Sequence, residues 1–174
     1  LGERDITNSY ADYSFDIPSP MMKPDSNVID LHFSGTPDYI PGKLFSIGKT
    51  GLTVTKNIYI LSEGFLSGNR SIIQVDAKDY SRNNRGFNIV VIDPDTCIVK
   101  DSVSFDTFKE GKYAREMIDY IASITDGDIV AVSVKDDAST YYDDELKQAL
   151  HSIGANGDFN KCYRCSYIIL GVKG

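Results

Sequence analysis

From Val28 onward the chain is a succession of short, β-rich apolar segments separated by turn signals, and this pattern limits its fold more than any other feature. VIDLHFSG, at residues 28–35, alternates apolar and polar residues with the period of two that a half-buried strand shows. KLFSIG, GLTVTKNIYIL and SIIQVDA continue the series with glycine-containing breaks. GFNIVVI and CIVKDSVSF flank the turn DPDT, which predicts a hairpin whose returning strand begins at a buried Cys97.

Two segments have helical rather than β periodicity. EGKYAREMIDYIASI, at residues 110–124, repeats apolar residues at helical spacing, and so does YYDDELKQALHSIG, at residues 141–154. Acids in the first turn and Gly154 after the last turn delimit the second helix. Between the helices, GDIVAVSVKDDAS predicts a strand that ends at Lys135, and YRCSYIILGVKG predicts a final strand. Because helices and strands mix without regular βαβ alternation, the sequence predicts an α+β fold with a mainly antiparallel sheet.

Size and charge restrict the classes of partner. A chain of 174 residues fits one domain. A formal charge of −7 argues against binding nucleic acid or anionic lipid, since both depend on clustered lysine and arginine. No apolar run approaches the ~20 residues of a membrane helix, so we expect no membrane insertion.

The first residues differ in composition from the rest. Residues 1–27 are polar and proline-rich, which predicts a linker or an extended arm, and residues 28–174 then form the domain. Packing of this arm on the domain through Tyr10, Tyr13 and Phe15 is the alternative. The chain begins with Leu1, so we expect a piece of a longer protein.

Three cysteines occur in the chain, and two of them form a Cys-x-x-Cys motif at Cys162 and Cys165. Zinc is not expected, because only Cys97 and two isolated histidines remain as further ligands. A redox pair is not expected either, because the motif opens a predicted β segment and not a helix. The sequence therefore predicts reduced thiols, an incidental spacing and no cofactor.

The acidic doublets offer candidate sites. Asp143 and Asp144 precede the second helix, where capping is the expected role. Adjacent acids on an extended segment diverge, so neither doublet predicts paired carboxylates, but Asp136, with Asp137 beside it, ends a buried strand, where loop residues commonly contact ligands.

Four longer stretches follow one another over about residues 83–174: NRGFNIVVIDPDTCIVKDSVSFDTF, MIDYIASITDGDIVAVSVKDDAS, LKQALHSIGA and CYRCSYIILGVKG. Together they resemble the ILEI/PANDER-like (interleukin-like EMT inducer) domain family. The resemblance implies a sandwich of two twisted, mainly antiparallel β-sheets flanked by short helices. Family members include secreted cytokine-like proteins, extracellular regions of hyaluronan-related membrane proteins and the stem domain of an O-mannose N-acetylglucosaminyltransferase, and modules of bacterial and phage tail-fibre proteins are similar.

The resemblance also implies a carbohydrate site. In the transferase stem, a non-catalytic module binds β-linked N-acetylglucosamine through the first acid of a Lys-Asp-Asp/Glu strand end and an arginine of the last strand. Those positions correspond here to Asp136 and Arg164, with Asp137 beside the acid, and Tyr163 or Tyr167 could offer a ring face to the sugar. The family usually has an acid after the arginine, where this chain has Cys165.

Three functions follow as hypotheses. The leading one is a non-enzymatic module of a larger microbial or phage adhesion protein, extracellular or virion-associated, that binds a surface glycan. The second is a structural or protein-interaction domain in which Asp136 and Arg164 only pair with each other. The third is a glycan hydrolase that uses the acids of the Asp136 loop.

Overall fold

The computed structural model describes residues 26–29, 45–47, 50–155, 159 and 162–174. Two helices and ten strands occur in these ranges. The helices are α1 (Gly111–Ser123) and α2 (Asp144–His151). The strands are β1 (Ser26–Ile29), β2 (Phe45–Ser46), β3 (Thr53–Val54), β4 (Ile58–Glu63), β5 (Ser71–Val75), β6 (Lys78–Asp79), β7 (Gly86–Ile92), β8 (Val99–Phe105), β9 (Ile129–Lys135) and β10 (Ile168–Val172).

The strands form two four-stranded antiparallel sheets and one short pair. The first sheet has the order β1-β4-β5-β6 and the second has the order β10-β9-β7-β8, while β2 pairs with β3. This arrangement confirms the predicted α+β sandwich of two mainly antiparallel sheets with short helices.

The second sheet is the middle layer of the domain, which explains why β7 and β9 are apolar along nearly their whole length. On one face, Phe87, Ile89 and Val91 belong to the core cluster that includes buried residues of α1 and α2. On the other face, Val90 and Ile92 belong to the cluster that includes residues of the first sheet. A strand with helices on one side and a sheet on the other buries both sets of its alternating side chains.

Two element boundaries differ from the sequence prediction. Strand β8 begins at Val99, because Cys97 lies in the preceding turn with a positive φ of 53°. Cys97 is nevertheless buried, as predicted, with 2% of its surface exposed. Strand β10 begins at Ile168, so the Cys-x-x-Cys motif lies in a turn before the strand and not within it.

The predicted capping role of Asp143 is confirmed, since its carboxylate accepts a hydrogen bond from the backbone N–H of Leu146 at 2.9 Å. The predicted arm, residues 1–27, lies outside the described residues as far as residue 25, and strand β1 begins at Ser26. The domain boundary therefore stays a prediction.

Two buried serines connect the sheets. Ser133 of β9 donates its hydroxyl to the carbonyl of Leu61 at 2.6 Å, and Ser62 of β4 donates to the carbonyl of Val134 at 2.5 Å. The Ser62 hydroxyl also accepts the N–H of Tyr167 at 3.0 Å, just before β10. Both serines have no exposed surface. These hydrogen bonds fix the position of β4 along β9 and hold the chain entering β10 against them.

We expect Ser62→Ala to lower the free energy of unfolding by about 1–3 kcal/mol, because it removes the partner of buried backbone groups. Ser133→Ala should have an effect in the same range. Ser123→Ala is the matched control, since its hydroxyl makes one exposed hydrogen bond at the end of α1, and it should change stability by less than about 0.5 kcal/mol. Equilibrium unfolding in urea measures all three. Equal stability of Ser62→Ala and Ser123→Ala would show that the cross-sheet bonds do not matter.

Candidate functional site

Asp136 lies at the point where the two sheets meet. It follows Lys135, the last residue of β9, and forms an isolated parallel bridge with Gly64, which follows β4. Its N–H donates to the carbonyl of Glu63 at 3.4 Å. A positive φ of 59° turns the chain away from the strand direction at this residue, and the side chain is half-buried.

Arg164 reaches the same place from the other end of the chain. It lies in the turn before β10 and also has a positive φ of 59°. Its backbone packs directly on Gly64, where a Cβ atom would lie only 2.0 Å from the Arg164 carbonyl oxygen. Gly64 in turn donates its N–H to the hydroxyl of Ser166 at 3.3 Å. Asp136 and Arg164 therefore both contact Gly64 through their backbones.

The Arg164 side chain is held by aromatic rings and not by a carboxylate. Its guanidinium carbon lies 4.1 Å from the ring centroid of Phe65 and 4.9 Å from that of Tyr163. Both residues are exposed, Phe65 to 43% and Tyr163 to 61%. Within the described part of the chain, no ion pair joins Arg164 to Asp136 or to another acid. Stacking orients the plane of the guanidinium, and its N–H groups contact no carboxylate of the residues that the structure describes.

Two of the predicted sugar-contacting residues lie inside the protein. Asp137 is 1% exposed, and its carboxylate accepts the N–H of Ser139 at 2.8 Å. Tyr167 is 7% exposed, and its ring packs on Phe159 with centroids 5.3 Å apart. In the structure described, neither side chain offers a surface to a ligand, which leaves Tyr163 as the exposed tyrosine beside Arg164.

Phe65 was not recognised in the sequence. It belongs to the loop between β4 and β5. At the start of this loop the buried Glu63 forms a bidentate ion pair with Arg70, with nitrogen–oxygen distances of 2.6 and 2.9 Å. Gly68 passes close to the same carboxylate. The stretch GFLSG could have indicated this surface, because it places two large apolar residues between glycines in a turn. Phe65 and Leu66 are exposed there, and adjacent exposed apolar side chains often mark an interaction site.

A second guanidinium lies on the acidic side of the site. Arg85 donates to both carboxylate oxygens of Asp106 at distances of 2.9 to 3.1 Å. This hydrogen bonding raises the pKa of Arg85, and the charges of Asp106, Asp136 and Asp137 raise that pKa further. Arg85 is therefore a source of positive potential near Asp136, although its hydrogen bonds go to Asp106.

The cysteine prediction was wrong. Cys162 and Cys165 are joined by a disulfide, and their Cα atoms lie 5.4 Å apart. The prediction assumed a β segment, where residues three apart point to opposite faces. The turn before β10 instead brings the two residues together, and the N–H of Cys165 donates to the carbonyl of Cys162 at 3.4 Å. Cys97 is the free cysteine.

An open groove of about 790 Å³ lies elsewhere, between β8 and α1. Its lining includes Arg82, Ser102, Asp119 and Tyr120. This groove shares no lining residue with the surface around Asp136 and Arg164, so it is a separate, rival place for a ligand. Among the described residues, no group of three or more His, Cys, Asp or Glu side chains is placed to hold a metal ion, and no helix there is long and apolar enough to span a membrane.

The described residues form an α+β sandwich domain in which the backbones of Asp136, after β9, and Arg164, before β10, both contact Gly64. The sequence model described as interleukin-like EMT inducer matches residues 85–174, just over half of the chain. This chain therefore belongs to the interleukin-like EMT inducer family. Asp136 and Arg164 lie within the match, whereas Gly64 and Phe65 lie outside it.

Two human relatives align with about half of the chain. Over 94 residues, 54% of the chain, it is 32% identical to the cell migration-inducing and hyaluronan-binding protein of Homo sapiens, and it covers 7% of that protein. Over 95 residues, 53% of the chain, it is 30% identical to protein FAM3C of Homo sapiens, and it covers 41% of FAM3C. The mouse cell migration-inducing and hyaluronan-binding protein is 30% identical over 94 residues.

Gly64→Ala tests the convergence of the site on one glycine. We expect it to lower the free energy of unfolding by about 1–3 kcal/mol, because the added methyl group would overlap a backbone oxygen that cannot move alone. Gly111→Ala is the control, since its nearest neighbour is the side chain of the exposed Tyr141 at 3.2 Å and can yield. Thermal and urea unfolding measure both variants. A Gly64→Ala protein as stable as Gly111→Ala would contradict the close approach of Arg164.

Proposed function

We propose that this domain is a non-catalytic carbohydrate-binding module of a larger extracellular protein, and that its glycan binds across Asp136 and Arg164. The observation that carries the proposal is that Arg164, whose stacked guanidinium pairs with no acid among the described residues, contacts through its backbone the same glycine as Asp136. The word hyaluronan in the name of one relative is consistent with a glycan ligand. None of the relatives described above is a phage or virion protein, so a virion-associated parent stays a prediction.

The chemistry of the surface suits a sugar. The Asp136 carboxylate can accept hydrogen bonds from ring hydroxyls, and the Arg164 guanidinium can donate to a hydroxyl or an acetamido oxygen. Exposed rings of Phe65 and Tyr163 beside the guanidinium provide apolar area for the C–H face of a pyranose. The two charged groups are half-buried, which strengthens hydrogen bonds to a ligand relative to those at a fully solvated surface.

The remaining partners follow from charge and length. The formal charge of −7 disfavours nucleic acid as a ligand. Because the matched relatives extend well beyond the aligned region, we propose that other domains of a parent protein are neighbours of this one. We propose no catalytic residue, since Asp137, the acid beside Asp136, is buried and contacts Ser139.

Arg164→Ala should weaken glycan binding by about 1–3 kcal/mol, or roughly 5- to 150-fold in Kd, since a hydrogen bond to a charged group is lost. Asp136→Asn should have an effect in the same range. A glycan array selects the ligand, and calorimetric titration of each protein measures the change.

Arg82→Ala is the matched control, because Arg82 is an exposed arginine that lines the rival groove. It should bind as tightly as the unaltered protein. Equal binding by unaltered protein and Arg164→Ala would remove the proposed site, and a loss in Arg82→Ala alone would move the site to the groove between β8 and α1.

A protein-interaction surface at the same place is the second candidate, favoured by the exposed apolar side chains. Leu66, at 78% exposed, lies next to Phe65, and Tyr163 lies on the other side of Arg164. Leu66→Ser separates the two functions, since a flat apolar contact depends on Leu66 more than a sugar does. If Leu66→Ser still binds the glycan, the carbohydrate-binding function is favoured. If neither the unaltered protein nor any variant binds a glycan, and Leu66→Ser no longer retains a domain of the parent protein in a pull-down, the protein-interaction function is favoured.

A further inference from the structure

The disulfide encloses the residues that present the proposed ligand contacts. Cys162 and Cys165 flank Tyr163 and Arg164 directly, so the bond closes the turn that carries the stacked guanidinium. Cys162 is exposed, whereas Cys165 is buried with 8% of its surface accessible. A disulfide with one accessible sulfur-bearing residue can be attacked by a thiol from solvent.

The backbone of Arg164 packs on Gly64 on the inner side of the turn, whereas Cys162 and Tyr163 on its outer side are exposed. Arg164 has a left-handed φ of 59°, a conformation uncommon for residues other than glycine. Its side chain contacts exposed rings. In the backbone of the turn, the N–H of Cys165 donates to the carbonyl of Cys162 at 3.4 Å, and the N–H of Cys162 donates to the carbonyl of Phe159 at 3.2 Å. Cross-linking the ends of this short turn lowers the number of conformations available to it.

We propose that the Cys162–Cys165 disulfide is a reversible redox clamp that holds the Tyr163–Arg164 turn in its binding conformation. The proposal rests on the proposed glycan site, whose regulation it describes. A dithiol reductant supplies the electrons: its thiolate attacks the sulfur of Cys162, the S–S bond breaks, and Cys165 leaves as a thiolate that takes a proton. The second thiol of the reductant then resolves the mixed disulfide, giving two cysteine thiols and one oxidised reductant.

Reduction releases the turn, so Arg164 leaves its stack on Phe65 for part of the time. The apparent affinity for the glycan then equals the intrinsic affinity multiplied by the fraction of molecules that keep the binding conformation. Cys97 takes no part, because it is buried and free in the core.

Limited trypsin digestion tests the clamp without any ligand, because trypsin cuts after arginine. The intact protein is digested in its oxidised form and after reduction with a phosphine, and the fraction cut after Arg164 is measured by mass spectrometry. We expect reduction to speed this cleavage about tenfold, as a protected turn becomes mobile. Cleavage after Arg82, in another exposed segment, is the internal control and should not change. Equal cleavage after Arg164 in both forms would overturn the clamp.

The ligand arm uses the best glycan from the array on the same two forms and on the double variant Cys162→Ser, Cys165→Ser. We expect about tenfold weaker binding by the reduced protein and by the double variant, with recovery after reoxidation of the unaltered protein. Thermal unfolding checks that each form is folded; should the double variant not fold, the reduced and reoxidised protein alone decide. If reduction speeds cleavage but leaves the glycan affinity unchanged, the disulfide does not regulate binding. If the oxidised protein binds no glycan, the proposed carbohydrate-binding function is wrong, and its regulation by the disulfide is wrong with it.

Discussion

The reciprocal hydrogen bonds between β4 and β9 are the constraint on which the site depends. Each strand supplies one buried serine whose hydroxyl reaches a backbone carbonyl of the other strand, and one of these serines also holds the N–H of Tyr167. Apolar packing between sheets tolerates sliding, because it has no direction, whereas a buried hydrogen bond has one acceptable geometry. These bonds therefore select the alignment in which the ends of β4 and β9 and the start of β10 meet.

Gly64 is the residue at which the three segments come into contact. It follows β4, pairs with Asp136 after β9 and lies under the backbone of Arg164 before β10. A Cβ at this position would overlap the carbonyl oxygen of Arg164, so a larger residue would require the backbone there to shift. A different position of β4 along β9 would move Phe65 relative to the guanidinium of Arg164. The surface is thus a product of three chain segments that are distant in sequence, two of them inside the family match and one outside it.

The fold class could be predicted from the sequence, but several residues of the candidate site could not. The short apolar β segments and the helical spacing of α1 and α2 predicted an α+β fold with a mainly antiparallel sheet, and the family resemblance implied the two-sheet sandwich. Asp136 and Arg164 were singled out through the resemblance, since nothing in local periodicity links them. Gly64 and Phe65 were missed, because the contacts of this loop join residues such as Gly64 and Ser166, which are 102 positions apart. The disulfide was missed because the motif was assigned to a strand, whereas a turn with Arg164 at positive φ precedes β10.

Backbone amide shifts of the ¹⁵N-labelled protein during titration with an N-acetylglucosamine trimer test the shared surface most directly. We expect the amide shifts of Gly64, Phe65, Asp136 and Arg164 to follow one saturation curve, because one ligand would contact all three segments. Shifts confined to the groove of Arg82 and Tyr120, or shifts at Asp136 without any at Arg164, would contradict it.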